Sequence, residues 1–259
     1  MSATKRRLDI FEKLKKEGKV VIADLAEEFK VTPMTIRRDL VILEKQGIVT
    51  TYYGGASLNE GAAIEPSFSM KNNNARDEKT AIAYEASKLI NEGDTVYIDC
   101  GTTCYNISRF LKNMRMTVVT NSISLINALK DKDKISIAIA PGMYSRVSEG
   151  ALSSTTIEFF QKCNVDKAFV ATQGFDITTG ASVPEEMDGK VKSSVLPMSE
   201  KVILLVDHTK FGQKYFSIHG APSDYDMIIT DEGISEDDLK KCQQAGLPLK
   251  VARYLRKRK

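Results

Sequence analysis

The chain has 259 residues, 42% of them hydrophobic and 27% charged, with a formal net charge of +3. This is the composition of a soluble globular protein, long enough for one large domain or for a small module joined to a domain with its own core. No run approaches the roughly 18 apolar residues of a membrane span and the N-terminus lacks the apolar stretch of a signal peptide, so the expected location is cytoplasmic and no membrane partner is expected.

The first sixty residues read as three helices and a hairpin. "KRRLDIFEKLKKEG" carries Leu8, Phe11 and Leu14 with Ile10 alongside, a helical stripe ending at Gly18. "VIADLAEEFK" repeats the pattern with Ile22, Leu25, Ala26 and Phe29. Thr32 is placed to cap a third helix and Pro33 to begin it, and that helix runs to about Gln46 before Gly47. Its buried face is Ile36, Leu40 and Leu43. At about 100° per residue Arg38, Val41 and Lys45 point away from that face, with Thr35 and Arg37 on its flanks. "IVTTYYGGASL" then reads as a short hairpin closing on Gly54-Gly55.

Three helices followed by a wing make a winged helix-turn-helix. In such a module the third helix enters the DNA major groove, where an arginine can bond bidentately to guanine and the helix N-terminus can meet a phosphate. The candidate DNA contacts are therefore Thr32, Thr35, Arg37, Arg38 and Lys45, with double-stranded operator DNA as partner. "VTPMTIRRDLVILEKQGIVTTYYGGA" resembles the DNA-binding signature of the DeoR family of bacterial transcription regulators. The resemblance implies DNA contacts by Thr35, Arg37 and Arg38 and an arginine-orienting role for Asp39. Members commonly carry a basic residue or His just before Gly-Gly, where this chain has Thr50, Thr51, Tyr52 and Tyr53.

Residues 58–74, Asn-rich and without an apolar period, read as a linker between a DNA-binding domain over 1–57 and a second domain over 75–259. Beyond it, strand-like runs alternate with helical ones. "DTVYID", "MTVVTN", "KISIAIA", "DKAFVAT", "KVILLVD" and "DMIITD" are the strands, which predicts an α/β domain with a mainly parallel sheet. Ligands in such sheets bind beyond the carboxyl ends of the strands. There Asp99-Cys100-Gly101-Thr102-Thr103 and Thr120-Asn121-Ser122 open helices that suit an anion, and Asp207-His208-Thr209-Lys210 supplies a cation, together suggesting a pocket for a phosphorylated sugar or polyol.

"IDCGTTCYNISRFL", "VVTNSISLINAL", "DKAFVATQGFD", "LLVDHTKFG" and "IITD" resemble the sensor half of the same family. That resemblance implies a fold similar to ribose-5-phosphate isomerase and glucosamine-6-phosphate deaminase, and effector contacts by Asp99, Gly101, Thr102, Thr103, Thr120, Asn121 and Lys210. Many members have Gly-Gly where this chain has Pro141-Gly142. Four cysteines without a C-x-x-C pair, and only two histidines, give no reason to expect a metal or cofactor. The basic end "RYLRKRK" reads as a solvated terminus.

The expected function is a transcription regulator, a repressor of a carbohydrate-utilisation operon, with DNA affinity set by a sugar phosphate. Reading two half-sites implies a homo-oligomer, a dimer or tetramer. Two other readings stay open. One is a sugar-phosphate isomerase-like enzyme carrying a DNA-binding module, with Asp99 as base and Lys210 as electrophile; the other is a second domain that only oligomerises.

Overall fold

The computed structural model describes residues 2–59 and 67–255, which form two compact units, Met1–Asn74 and Ala75–Lys259. In the first unit, α1 (Ala3–Glu17) starts on Ser2, whose hydroxyl accepts from the Lys5 N–H, and ends on Gly18 in the left-handed conformation. There follow β1 (Lys19–Val21), α2 (Ile22–Glu28), α3 (Pro33–Lys45), β2 (Val49–Tyr52) and β3 (Gly55–Leu58). Thr32 caps α3 by accepting from the Thr35 N–H, and Pro33 occupies the first turn, where no N–H is missed.

Leu8, Phe11 and Leu14 of α1, Leu25 of α2, and Ile36, Leu40 and Leu43 of α3 converge in one core with Ile48 and Ala56. Each such burial contributes about 1.5–3 kcal/mol. The hairpin acquires a third strand, β1, that the sequence reading did not anticipate, giving the antiparallel order β1-β3-β2. Tyr52 pairs with Gly55, so the turn is Tyr53-Gly54, with Gly54 at φ 86°. Gly55 is needed for another reason: a Cβ there would stand 2.3 Å from the Val20 carbonyl oxygen of the added strand.

Part of the expected linker, residues 60–66, lies outside the described residues. Its last part is not a linker in structure. Phe68–Asn73 form α4, on which Phe68 and Met70 are buried and Met70 joins the core of the first unit. A six-residue helix is too short to display an apolar period, so composition misled the reading.

The second unit contains α5 (Arg76–Ser87), β4 (Thr95–Ile98), α6 (Thr102–Tyr105), β5 (Met116–Thr120), α7 (Ile123–Leu129), β6 (Ile135–Ile139), β7 (Tyr144–Ser145), β8 (Gly150–Ala151) and α8 (Ser154–Phe160). It continues through β9 (Val165–Ala171), β10 (Gly174–Asp176), β11 (Gly180–Val183), α9 (Glu186–Val195), β12 (Ser199–Leu205), β13 (Ser217–Gly220), β14 (Met227–Asp231), α10 (Glu236–Gln244) and β15 (Leu249–Ala252). Seven strands form one sheet in the order β15-β14-β12-β9-β4-β5-β6, every pairing parallel. All six expected strands are in it, joined by β15 at one edge.

Both faces of the sheet are covered. Val96 and Ile98 of β4, Phe169 of β9 and Ile203 and Leu205 of β12 face one core, while Tyr97, Ala168, Val170, Val202 and Leu204 face the other. That strict alternation explains why these strands read as continuous apolar runs. The chain builds β4, β5 and β6 toward one edge, then returns to place β9 on the other side of β4 and continues outward. The direction of winding therefore reverses between β4 and β9. A smaller antiparallel sheet, β10-β11-β13, accompanies the main one. Residues 256–259 of the basic end lie outside the described residues; Lys250, just before that end, is in β15 and pairs with Glu85 at 3.1 Å.

Candidate functional site

On α3 the residues opposite the core form one exposed stripe. Arg37, Arg38 and Lys45 are exposed, with Met34 and Val41 among them, whereas Ile36, Leu40 and Leu43 are at most 1% exposed. Thr32 is exposed and Thr35 half-buried at the helix start, their hydroxyls 3.0 Å apart. Thr32 already caps the Thr35 N–H and Pro33 has no N–H, so this end offers an anion the positive end of the helix dipole and the two hydroxyls.

Asp39 is turned to the other side. It is buried, accepts from Arg6 Nε at 2.6 Å and lies 3.5 Å from Arg7 Nε. The arginines it orients are therefore those of α1, which leaves Arg37 and Arg38 to solvent. The wing is tied to α3 by Glu44, which accepts from both the N–H (2.8 Å) and the hydroxyl (2.6 Å) of Thr51. Those bonds hold the Glu44 carboxyl below its ordinary pKa. At the wing tip Tyr53 is fully exposed.

In the second unit the chemistry gathers where the winding reverses, the place at which open α/β sheets bind ligands. Asp99, at the end of β4, is completely buried. It accepts from the Cys100 N–H (2.8 Å), the Ala171 N–H (3.0 Å), Tyr97 (3.3 Å) and Lys192 Nζ (2.5 Å). Burial opposes its charge, but the Lys192 charge and these hydrogen bonds outweigh burial and hold the carboxyl below its usual range.

Lys192, from α9, is a residue the sequence reading missed. Its ammonium also lies 3.5 Å from Asp188, one turn earlier on the same helix. Burial disfavours its charge, yet the two carboxylates raise its pKa well above the ordinary lysine value. His219, on β13, is buried beside it, with Nε2 3.0 Å from the Thr172 hydroxyl and Nδ1 3.3 Å from the Tyr225 hydroxyl. Burial first, and the Lys192 charge second, push its pKa down to about 3, so it is neutral. The spacing of Asp188 and Lys192, with apolar Val191 and Val195, is the signal that could have marked α9 as a covering helix.

The other expected residues divide into groups. Gly101 caps α6, and a Cβ there would lie 2.5 Å from the Ala171 Cβ, so the close approach it permits is between the ends of β4 and β9. Thr102 and Thr103 are nearly buried beside it, and among the described residues their hydroxyls take part in none of the internal side-chain hydrogen bonds. The Thr120 hydroxyl bonds the Ile98 carbonyl and the Ser122 N–H, and Asn121 bonds Tyr97 and the Ala151 carbonyl. Both side chains therefore shape the site from within.

Lys210 lies in a short helical turn after β12, half-buried, and among the described residues its ammonium has no carboxylate partner. β9 separates β12 from β4, so the two strand ends are about 10 Å apart at ordinary strand spacing. Pro141-Gly142 leads into the β7–β8 hairpin and is fixed to α8 by the Thr156 hydroxyl, which donates to the Pro141 carbonyl at 2.7 Å. A cavity of about 290 Å³ opens at the opposite, amino ends of the strands, where Asp166 and Glu200 make its lining unfavourable for an anion.

Comparison with known proteins covers both units. Residues 6–62 match the family model described as a DeoR-like helix-turn-helix domain, and residues 74–232 match the DeoR C terminal sensor domain. The HTH-type transcriptional regulator YgbI of Escherichia coli (strain K12), itself uncharacterized, is 33% identical over 98% of this chain and 99% of its own length. The glycerol-3-phosphate regulon repressor of the same organism is 31% identical over 89% of this chain and 92% of its own. Among solved structures, ribose 5-phosphate isomerase A from Methanocaldococcus jannaschii is 18% identical with a TM-score of 0.41, covering 54% of this chain and 56% of that one, too remote a likeness to carry a functional argument.

Proposed function

Because the chain belongs to the DeoR family of transcription regulators, we propose that it is a repressor whose hold on operator DNA is weakened by a phosphorylated sugar or polyol. α3 lies in the major groove. Arg37 and Arg38 reach base edges, Thr32, Thr35 and the helix start meet one phosphate, and Lys45 meets another. The observation that carries the effector half is the buried Lys192–Asp99 pair at the point where the sheet reverses its winding.

Two carboxylates gather around one ammonium at the floor of this site, a set of donors and acceptors that suits sugar hydroxyls. Asp99 is saturated and orients Lys192; Lys192 and Asp188 face the hydroxyls. The phosphate belongs at the rim, between Lys210 and the Gly101-Thr102-Thr103 turn. An Asp99 held in its ionised form by Lys192 and two backbone N–H groups is a weak general base, which supports a binding site over a catalytic one. No cofactor is invoked.

Two subunits are needed to read two half-sites, and the exposed Phe216 and Ile218 at the edge strand β13 support association between copies. Effector and operator then favour different arrangements of the oligomer, coupled by about 1–3 kcal/mol. The test is a thermal-shift screen of the full chain against phosphorylated sugars, with orthophosphate and the unphosphorylated sugars as controls. A shift given by one phosphorylated sugar and not by its unphosphorylated form is expected. No shift with any of them would leave the second unit as an oligomerisation module.

A further inference from the structure

We propose that Met34 and Val41 read thymine methyl groups on either side of the base pair contacted by Arg38. α3 satisfies the core of its unit with Ile36, Leu40 and Leu43, all at most 1% exposed. Two more apolar side chains break the polar pattern on the opposite face: Met34 is 52% exposed and Val41 43%. Single exposed apolar residues need no explanation. These two are different because they fall at i and i+7 on the stripe that holds Arg38 at i+4 and Lys45 at i+11.

The stripe therefore alternates apolar and basic groups on a helix whose positively polarised start is exposed. A protein partner for so cationic a face would have to bury Arg37, Arg38 and Lys45 together with the apolar pair. A major groove meets both demands, since it combines phosphates and guanine acceptors with one apolar group, the thymine C5 methyl. At 1.5 Å rise per residue Met34 and Val41 are about 10 Å apart along the helix, or about three base-pair steps of 3.4 Å, with Arg38 between them. Val41 presents two fixed methyls, and the unbranched Met34 can follow its contact. The preferred half-site then has a guanine read by Arg38, with a thymine on one strand or the other to each side.

The inference rests on α3 occupying the major groove, and the test separates the two. The full chain selects its preferred duplex from random DNA. Each thymine of that duplex is then replaced singly by uracil, which removes the methyl and keeps every hydrogen-bonding group. The wild type is expected to lose about 4-fold in affinity at two thymines, the equivalent of one buried methylene each. Val41→Ala should abolish the penalty at one of them and Met34→Ala at the other, each variant unfolding at the wild-type temperature because both side chains are exposed. A selected duplex without any methyl-sensitive thymine, or penalties that persist in both variants, overturns the assignment. Failure to enrich any duplex removes the reading of α3, and this inference with it.

Discussion

Replacing Lys192 by methionine removes one charge while nearly preserving volume, and it tests whether the centre of the second unit is built on that charge. In the native protein the ammonium is 4% exposed and lies 2.5 Å from an Asp99 that is not exposed at all. Asp188 is its second neighbour at 3.5 Å. Without Lys192, Asp99 keeps its bonds to the Cys100 and Ala171 N–H groups and to Tyr97, but its charge is uncompensated. Breaking a buried pair from one side typically costs about 3–5 kcal/mol. For a unit of this size that corresponds to a fall in Tm of roughly 6–20 °C. Asp99→Asn added to Lys192→Met should restore part of the loss, since it removes the stranded charge. Calorimetry of the wild type, both single variants and the double variant supplies the cycle. A loss below about 1 kcal/mol in Lys192→Met, or a double variant no better than the sum of the singles, would refute the account of this pair.

Arg38→Ala should weaken specific DNA binding by about 1–3 kcal/mol at fixed salt and leave thermal unfolding unchanged, as read by fluorescence anisotropy and calorimetry; equal affinity for the selected and a scrambled duplex in both proteins would contradict it. Asp39→Ala should do the reverse, destabilising the first unit by stranding the buried Arg6, again by about 3–5 kcal/mol, which denaturant unfolding measures. His219, held neutral with a pKa of about 3 against an ordinary 6.5, takes up a proton more readily in the unfolded chain. Its contribution is therefore complete above pH 6.5 and is lost as pH falls toward 3, by up to about 1.4 kcal/mol per pH unit, and His219→Gln should flatten that part of the stability profile. Deleting residues 256–259 should lower non-specific DNA affinity and its salt dependence slightly, with sequence preference unchanged in competition binding.

The first unit was legible because its signals are local. The stop at Gly18, the Thr32 cap and the Pro33 start lie within a few residues of what they control, and the seven-residue recurrence of Ile36, Leu40 and Leu43 fixed the buried face of α3. The six central strands were legible for the opposite reason: burial on both faces leaves almost nothing but apolar residues in each. Short or solvent-facing elements escaped. β1 and β15 are three and four residues long, and α4 has six. At the site, sequence reasoning reached the strand ends, which carry their chemistry in compact strings such as Asp99-Cys100-Gly101-Thr102-Thr103. It missed Lys192 because the residue that completes Asp99 comes from a helix 93 positions later and reads locally as one more charge on a helical surface. It also assigned Gly101 to ligand approach, where the nearest obstacle to a side chain is Ala171. Long-range pairing across the reversal of a sheet leaves no mark on local sequence.

The central claim is that one chain couples an operator-reading helix to a sugar-phosphate site at the ends of β4, β9 and β12. It is tested most directly by titrating the complex of the full chain and its selected duplex with phosphorylated sugars, following DNA release by anisotropy. Wild type, Lys210→Ala and Lys201→Ala are compared, the last lying in β12 but at its opposite end. One sugar phosphate should release DNA from the wild type and from Lys201→Ala at the same concentration. Lys210→Ala should bind the duplex normally but need roughly 10- to 150-fold more, the loss of one charge-assisted contact. Identical titrations for wild type and Lys210→Ala, or DNA occupancy that no phosphorylated sugar changes, would contradict the account.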